Sequence, residues 1–281
     1  MYSSDLYEYP HADRIIVIGD IHGDIKRLKK ILDDAKIIND NLEWVANPPN
    51  TIVIQIGDQI DSANREPNIN EWEIIDDVNI IHFTNCLDNI AKAKGGRFIS
   101  LIGNHELMNI IGNFTYVSDK SNSHTRYEMF MPKGSLSPIL AKRQIVVKIG
   151  ELFFCHAGIK KNHLDILNSF NKPVSYLNDI WRDFILTGRI NPDDKDIFDN
   201  IILGNEGILW TRELDNEENM TLVLNNLGCV YMFVGHTPMN TIQLVNKIWY
   251  VDTGISRAFG RTSYQYLDIT NYIISVKNID D

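Results

Sequence analysis

The sequence has few cysteines and no long apolar run. Its three cysteines, Cys86, Cys155 and Cys229, are widely spaced in apolar stretches, which predicts buried free thiols rather than a disulfide framework or a zinc finger. No segment has the roughly 18 consecutive apolar residues that a membrane-spanning helix requires. The first 13 residues carry Asp5 and Glu8 where a secretory signal would have basic residues before an apolar run. These absences predict an intracellular, cytoplasmic protein without a membrane segment.

Positive charge is also scarce, because 27 lysine and arginine residues stand against 37 aspartate and glutamate residues, giving a net charge of −10. A nucleic-acid-binding surface needs a basic stripe that displaces the counterions of the phosphate backbone, so we expect no such surface. The same acidity repels a phosphorylated substrate unless local positive charge overrides it. Bound divalent metal ions are the strongest local source of that charge.

The chain does contain a recurring pattern of short apolar runs, most of which end in glycine followed by a polar residue. These runs end just before residues 19, 57, 103, 156 and 235. Their composition is typical of buried β-strands, and amphipathic helices are predicted after Asp24 and over 71–94. The resulting order β-α-β-α-β predicts an α/β fold whose polar residues meet at one rim of a sheet.

The rest of the sequence is less regular. We expect a short helix from Ser137 and a hairpin around Gly150-Glu151. Further strand-like runs cover 247–251, 264–269 and 272–277. Residues 113–134 and 171–218 are polar and poorly periodic, which predicts loops and short helices around the site. No repeat or low-complexity linker divides the sequence, so a single domain over 1–281 is expected.

The polar residues after the first two strands have the chemistry of metal ligands. Asp20 and His22 are two positions apart, so both side chains can meet one cation, although Asp20 can instead cap the helix that follows. Asp58 comes one βα unit later and can bridge two cations through its two carboxylate oxygens, although Asp58 and Asp61 can also serve as caps. Two cations held by such a bridge bind a hydroxide between them.

Three later strands are followed by further candidates. Asn104 offers an amide oxygen directly beside the imidazole of His105, and His156 and His236 each follow an apolar strand. A single histidine on an apolar strand is more often a satisfied core residue. The ordered recurrence of these residues after successive strands favours a site with two metal ions over a set of unrelated structural residues.

Taken together, the motifs resemble those of the calcineurin-like metallophosphoesterases, specifically the protein serine/threonine phosphatase branch. They are GDIHG at 19–23, GDQID at 57–61, GNHE at 103–106, HAG at 156–158 and GHTP at 235–238. The segment MFMPKGSLSPILAKRQIVVKIGELFFCHAGI and LWTRE at 209–213 are more similar to the bacterial-type Shewanella-like phosphatases. The resemblance implies a central β-sandwich flanked by helices, with a dinuclear metal site at the carboxyl-terminal rim of the strands.

The resemblance also implies roles for individual residues. It assigns Asp20 and His22 to one metal ion, Asp58 to both, and Asn104, His156 and His236 to the second. His105 is expected to protonate the leaving group, with Asp61 paired to it. Three imidazole ligands disfavour magnesium and calcium, so two manganese, iron or zinc ions are expected.

One position departs from the family pattern. The family usually has an arginine immediately after GDxxD, where it contacts the phosphoryl oxygens, but this sequence has Ser62. Arg65 and Arg212 are the candidates to bind substrate instead, and Arg126 and Arg257 are weaker ones. The alternative for Arg212 is a surface cation paired with Glu213.

These features predict a phosphomonoester hydrolase in which a metal-bridging hydroxide attacks phosphorus directly. The expected substrate is a protein phosphorylated on serine, threonine or tyrosine, or a small phosphate ester. Hydrolysis of dinucleoside polyphosphates or phosphodiesters on the same fold is the first alternative. A non-enzymatic scaffold is the second, and the complete ligand set disfavours it. The sequence identifies no regulatory partner.

Overall fold

Two mixed β-sheets form the centre of the protein, whose structure is a computed structural model that describes residues 7–66 and 77–281. The strands are β1 (Glu8–Tyr9), β2 (Arg14–Ile18), β3 (Ile52–Gln55), β4 (Arg97–Ser100), β5 (Val146–Ile149), β6 (Leu152–Cys155), β7 (Tyr231–Val234), β8 (Gln243–Val245), β9 (Ile248–Tyr250), β10 (Ser263–Thr270) and β11 (Ile273–Asp280). The α-helices are α1 (Ile25–Asp34), α2 (Asn79–Ala93), α3 (Asn104–Ile110), α4 (Ser123–Phe130), α5 (Ser137–Leu140), α6 (Lys161–Ser169), α7 (Tyr176–Thr187), α8 (Lys195–Ile197) and α9 (Glu217–Leu227). No helix in the described ranges is both long and apolar enough to cross a bilayer.

The strand order brings the ends of several parallel strands to the same rim. Over the described residues, one sheet has the order β11-β10-β2-β3-β4 and the other β1-β5-β6-β7-β9-β8. Strands β2, β3 and β4 are parallel, as are β6, β7 and β9. Strands β5 and β6 form the predicted antiparallel hairpin, and β10 pairs with β11 in the same way. Parallel strands end at the same edge, so the loops after β2, β3 and β4 are neighbours.

The two sheets pack against each other, and helices cover their outer faces. Along β2, Ile15 and Val17 belong to an apolar cluster that also contains Phe154 of the opposite sheet. The alternate residues Ile16 and Ile18 belong to a second cluster that includes the buried side of α1. Side chains alternate between the two faces of a strand, which explains why consecutive positions of β2 are apolar. The predicted α/β sandwich flanked by helices is confirmed.

Two details differ from the sequence-based expectations, and part of a third expectation lies outside the described residues. Helix α2 begins at Asn79, and the predicted helical residues 71–76 lie outside the described part of the chain. Helix α7 has three turns in a segment expected to contain only loops and short helices, because Leu177, Trp181 and Ile185 form a buried stripe among polar neighbours. All three cysteines are free, but Cys86 on α2 is exposed.

Candidate metal centre

The polar residues that follow β2, β3, β4, β6 and β7 converge at one rim of the sandwich. A cavity of about 390 Å³ opens there. Its lining includes five of the six predicted ligands together with His105 and both candidate arginines, namely Asp20, His22, Asp58, Asn104, His236, His105, Arg65 and Arg212. The sixth predicted ligand, His156, is fully buried and its Nε2 lies 3.3 Å from Asp58 Oδ2. The structure therefore brings all predicted site residues together.

Asp58 lies at the centre of this cluster. Its Oδ2 is 4.0 Å from His22 Nε2, 3.9 Å from His105 Nε2 and 3.3 Å from His156 Nε2. Its Oδ1 accepts a hydrogen bond from the backbone N–H of His105 at 2.9 Å. A single carboxylate oxygen is thus directed towards both groups of ligands. Oδ2 is the oxygen that faces the imidazoles, and the bridging of two ions by Asp58 stays a prediction.

Three ligand atoms converge at the Asn104 side of the cluster. Asn104 Oδ1 lies 3.0 Å from His156 Nε2 and 2.9 Å from His236 Nδ1. The second nitrogen of each ring faces a backbone carbonyl, with His156 Nδ1 2.8 Å from Ile56 O and His236 Nε2 2.9 Å from Trp210 O. A neutral imidazole has one N–H, and here it donates to the carbonyl. Each ring therefore directs a lone pair towards the amide oxygen, which is an arrangement that suits a cation.

The pKa values of His156 and His236 shift in opposite directions. Burial and the neighbouring His156 lower the pKa of His236 to about 3, so its ring is neutral. Burial also disfavours a charged His156, but the adjacent Asp58 carboxylate outweighs burial and raises its pKa. The negative charge of Asp58 therefore favours positive charge at His156 Nε2, which a proton or a metal ion can supply.

Asp20 and His22 supply the other side of the cluster. Asp20 Oδ2 accepts a hydrogen bond from the backbone N–H of His236 at 3.0 Å, whereas Asp20 Oδ1 is buried without any hydrogen-bond partner. Burial and the carboxylates of Asp252 and Asp58 raise the pKa of Asp20 well above its usual range. His22 Nδ1 faces the Ile60 carbonyl at 3.1 Å, which leaves Nε2 on the side of Asp58. A cation bound by Asp20 Oδ1 and His22 Nε2 would satisfy both atoms.

The turns that carry these residues adopt an uncommon backbone conformation. His22, Asp58, Asp61 and His236 have φ angles of 42°, 50°, 69° and 63°. Residues other than glycine adopt this left-handed region at an energetic cost, and such residues concentrate at functional sites. His22, Asp58 and His236 line the cavity, and Asp61 contacts His105 behind it.

His105 has a more elaborate anchor than the other histidines. Its Nδ1 donates to Asp61 Oδ2 at 2.7 Å. Burial disfavours the charged ring, but the carboxylates of Asp58 and Asp61 outweigh burial and raise the pKa of His105. The ligand atoms of His22, Asp58 and His105 lie within 4.8 Å of one another. The position of His105 therefore suits either a metal ligand or a proton donor beside the metals.

The candidate arginines occupy different positions. The Arg65 guanidinium lies over the rings of Tyr116 and Phe259, 4.4 Å and 5.8 Å from their centroids, and lines the cavity. Arg212 also lines the cavity, and within residues 7–66 and 77–281 no acidic side chain pairs with it. Its predicted alternative pairing with Glu213 is therefore not observed. Arg126 is not among the lining residues.

Sequence reasoning missed two groups of residues at the site. Glu106 accepts hydrogen bonds from the backbone N–H groups of Asp58, Gln59 and Gly103, at 2.9, 2.8 and 2.7 Å, and so joins two ligand loops. Its place in the GNHE motif was the available signal. Three aromatic residues also line the cavity, namely Tyr116, Trp210 and Phe259. Tyr116 and Phe259 lie outside the motifs, and Trp210 lies in LWTRE without a predicted role. The sequence therefore contains no indication that they line the site.

Comparison with curated proteins agrees with the motifs. The sequence matches the family model of the calcineurin-like phosphoesterases over residues 13–240. It is 29% identical over 286 residues to Shewanella-like protein phosphatase 1 of Plasmodium berghei (strain Anka), covering 93% of this chain and 73% of the relative. It is 32% identical over 258 residues to Shewanella-like protein phosphatase 2 of Arabidopsis thaliana, covering 74% of this chain and 60% of the relative. These matches confirm the resemblance inferred from the motifs.

Solved structures show the same fold. The crystal structure of a cold-active protein-tyrosine phosphatase from a psychrophilic Shewanella species superposes with a TM-score of 0.76 at 20% identity, covering 98% of this chain and 82% of that one. A protein serine/threonine phosphatase from Saccharomyces cerevisiae gives a TM-score of 0.62 at 12% identity, covering 98% and 84%.

Replacing Gly235 with alanine should damage the metal site directly. An added Cβ would lie 2.2 Å from Asp20 Oδ1, so the carboxylate must move away from the cluster. We expect metal affinity to fall by about 10–100-fold, measured by elemental analysis after dialysis against a weak chelator. Gly95→Ala is the control for backbone strain, because a Cβ there meets nothing within 4 Å, while the φ of 92° strains a backbone that does not line the cavity. Equal metal retention by both variants would contradict the assignment of Asp20 as a ligand.

Asp58→Asn preserves the shape of the central side chain but removes its negative charge. Because Oδ2 lies among three imidazoles, we expect lower metal occupancy and nearly complete loss of phosphatase turnover. Metal content and turnover are measured on protein whose circular dichroism matches the wild type. Full activity in a folded Asp58→Asn protein would show that this residue does not bridge two ions.

Proposed function

The chain belongs to the calcineurin-like phosphoesterase family and is a metallophosphatase, and we propose that it hydrolyses phosphoserine and phosphothreonine in proteins. The observation that carries this proposal is the cluster of carboxylate, imidazole and amide ligands around Asp58 Oδ2, beside an imidazole held by Asp61. Two similar proteins are named protein phosphatases, which supports a phosphorylated protein as substrate. Phosphotyrosine and small phosphate esters are the other substrates of this class.

The family uses a dinuclear metal centre, and the ligand set fits one. We assign Asp20 and His22 to one ion, Asp58 to both, and Asn104, His156 and His236 to the other. When bound, the two cations supply a hydroxide nucleophile at neutral pH and neutralise phosphoryl oxygens. Three imidazoles among six ligands favour manganese, iron or zinc over magnesium or calcium.

His105 is the proposed general acid. Its Nδ1–H is held by Asp61, so Nε2 is the nitrogen on the cavity side. The raised pKa of His105, caused by the carboxylates of Asp58 and Asp61, favours the doubly protonated ring. As the bond between phosphorus and the leaving oxygen breaks, the Nε2 proton passes to that oxygen. The neutral ring that remains keeps its Nδ1–H on Asp61.

Arg65 and Arg212 are the proposed phosphoryl-binding side chains. They line the cavity together with the metal ligands, and their guanidinium groups match the geometry of phosphoryl oxygens. Arg65 is three residues after Ser62 and substitutes for the arginine that the family usually has at that position. With the metal ions, these cations supply local positive charge in a chain of net charge −10.

The single domain expected for 1–281 remains part of the proposal. Residues from both sheets share one apolar cluster, which supports a single folding unit. The intracellular, cytoplasmic location and the absence of a nucleic-acid-binding surface stay predictions of the sequence.

A substrate panel tests the proposed function. The protein is loaded separately with manganese, iron and zinc, and phosphate release is measured from matched phosphoserine, phosphothreonine and phosphotyrosine peptides. Cleavage of a dinucleoside polyphosphate and of an aryl phosphodiester is measured in parallel. We expect metal-dependent release that is fastest from phosphoserine or phosphothreonine. Faster cleavage of the dinucleotide or diester would replace this proposal with the corresponding alternative, and no turnover of any substrate would favour a scaffold.

His105→Ala separates the two possible roles of that imidazole. As a general acid, His105 contributes about 10²–10⁴-fold to kcat, and its loss leaves the six ligands in place. We therefore expect an unchanged content of two metal ions with strongly reduced kcat, measured by elemental analysis and phosphate release. Loss of one metal ion in the variant would identify His105 as a ligand instead.

A further inference from the structure

We propose that Arg126 is a positioning residue that fixes the Asp61 carboxylate and, through it, the general acid His105. The proposal rests on the phosphatase function proposed above. Arg126 lies on α4 and is not among the residues that line the cavity, so it acts on the reaction only through other side chains. The sequence left open that Arg126 contacts substrate; we instead infer that it orients Asp61.

The Arg126 guanidinium connects three buried polar side chains. Its Nη1 donates to Asp77 Oδ1 at 2.7 Å, and its Nη2 lies 3.1 Å from Asp77 Oδ2 and 3.3 Å from Asp61 Oδ1. Its Nε donates to Asn109 Oδ1 at 2.5 Å. A planar guanidinium with donors in fixed directions can hold such an arrangement, whereas a lysine ammonium cannot reproduce it.

These same groups fix Asp61 on every side. Asp61 Oδ1 accepts from Asn109 Nδ2 at 2.8 Å as well as from Arg126, which leaves Oδ2 for His105 Nδ1 at 2.7 Å. The backbone N–H of Asp61 donates to Asp77 Oδ2 at 2.7 Å. Asn109 also donates to the His105 carbonyl at 2.9 Å, one turn earlier on α3. The carboxylate is thus bound so that one particular oxygen faces the imidazole.

Burial makes this arrangement depend on the charge of Arg126. Asp61 and Asn109 are fully buried, and Asp77 is 3% exposed. Two carboxylates share one guanidinium, whose side chain is 11% exposed. Without Arg126, the buried carboxylates of Asp61 and Asp77 would lose the cation that they share, which is strongly unfavourable even with His105 still bound to Asp61. We expect Asp61 to rotate or shift in that case, and His105 Nε2 to lose its alignment with the leaving group.

A purely structural role for Arg126 makes a different prediction. Loss of stability or of the metal site would slow all substrates by the same factor. Misalignment of a general acid slows substrates with poor leaving groups most, because a good leaving group departs without protonation. The dependence of the defect on the leaving group therefore separates the two roles.

The experiment compares Arg126→Gln with the wild type, both in the metal-loaded form. Two substrates are used, a phosphoserine peptide with an alkoxide leaving group and 4-nitrophenyl phosphate with a good one. We expect kcat to fall by about 10–100-fold on the peptide and by less than about threefold on the nitrophenyl ester. KM and metal content should stay close to those of the wild type, because Arg126 contacts neither substrate nor ligands.

Arg14→Gln is the matched control. Arg14 also bridges a part-buried aspartate and a backbone carbonyl, Asp268 and Ala35, but it lies at the start of β2, whereas the site residues follow the end of that strand. It should lower stability without a leaving-group-dependent loss of activity. If Arg126→Gln does not fold, Arg126→Lys retains the charge and should show the same leaving-group dependence with a smaller loss.

A double-mutant cycle completes the test. If Arg126 acts through His105, adding Arg126→Gln to His105→Ala should cost no more than about twofold on the peptide. An additional loss as large as in the wild-type background, or equal losses on both substrates, would overturn the proposal. Failure of the wild type to hydrolyse either substrate would instead reject the proposed function, so the two failures are distinguishable.

Discussion

The site depends on the placement of one buried carboxylate oxygen, Asp58 Oδ2, among three imidazole rings. A carboxylate with so little solvent is stable only where positive charge or donors surround it. Burial raises the pKa of Asp58, yet the adjacent histidines outweigh burial and hold the pKa well below its usual range. The negative charge is thus retained in a position where metal ions can bind. Asp20 Oδ1 is also buried and has no hydrogen-bond partner, so a cation bound there would stabilise it as well.

The proposed metal ligands are positioned by hydrogen-bonded loops at the ends of the strands. The proposed ligands follow directly after buried strands, and three residues with left-handed φ angles, His22, Asp58 and His236, line the cavity. Glu106 binds the backbone of two ligand loops through three hydrogen bonds. Burial raises the pKa of Glu106, as does Asp58, while Arg143 opposes both effects. Arg143 in turn donates to Gln59, so the counter-ion and the loop are connected.

The convergence of the six proposed ligands could be predicted because its signals are local in sequence, whereas the sandwich was expected from the resemblance to the family. Each ligand follows an apolar run, and each run forms a strand whose neighbours are set by parallel pairing. The single-oxygen orientation of Asp58 could not be predicted, because it results from a backbone N–H of α3 that reaches Oδ1. Tyr116 and Arg126 could not be placed either, since their positions depend on the path of a polar segment without periodicity. Helix α7 was not predicted for a similar reason, because its apolar residues lie within a long polar segment.

His105 is anchored differently from the three histidines proposed as metal ligands. His22, His156 and His236 each direct one nitrogen to a backbone carbonyl, and this contact selects the tautomer of the neutral ring. An ion bound at the other nitrogen would then fix the orientation of the ring. A general acid has no such ion to hold it, so the protein must supply its orientation. His105 alone among the described site histidines faces a carboxylate at Nδ1, and Asn109 and Arg126 fix that carboxylate in turn. This network holds the His105 ring in one orientation, as alignment of a transferable proton requires.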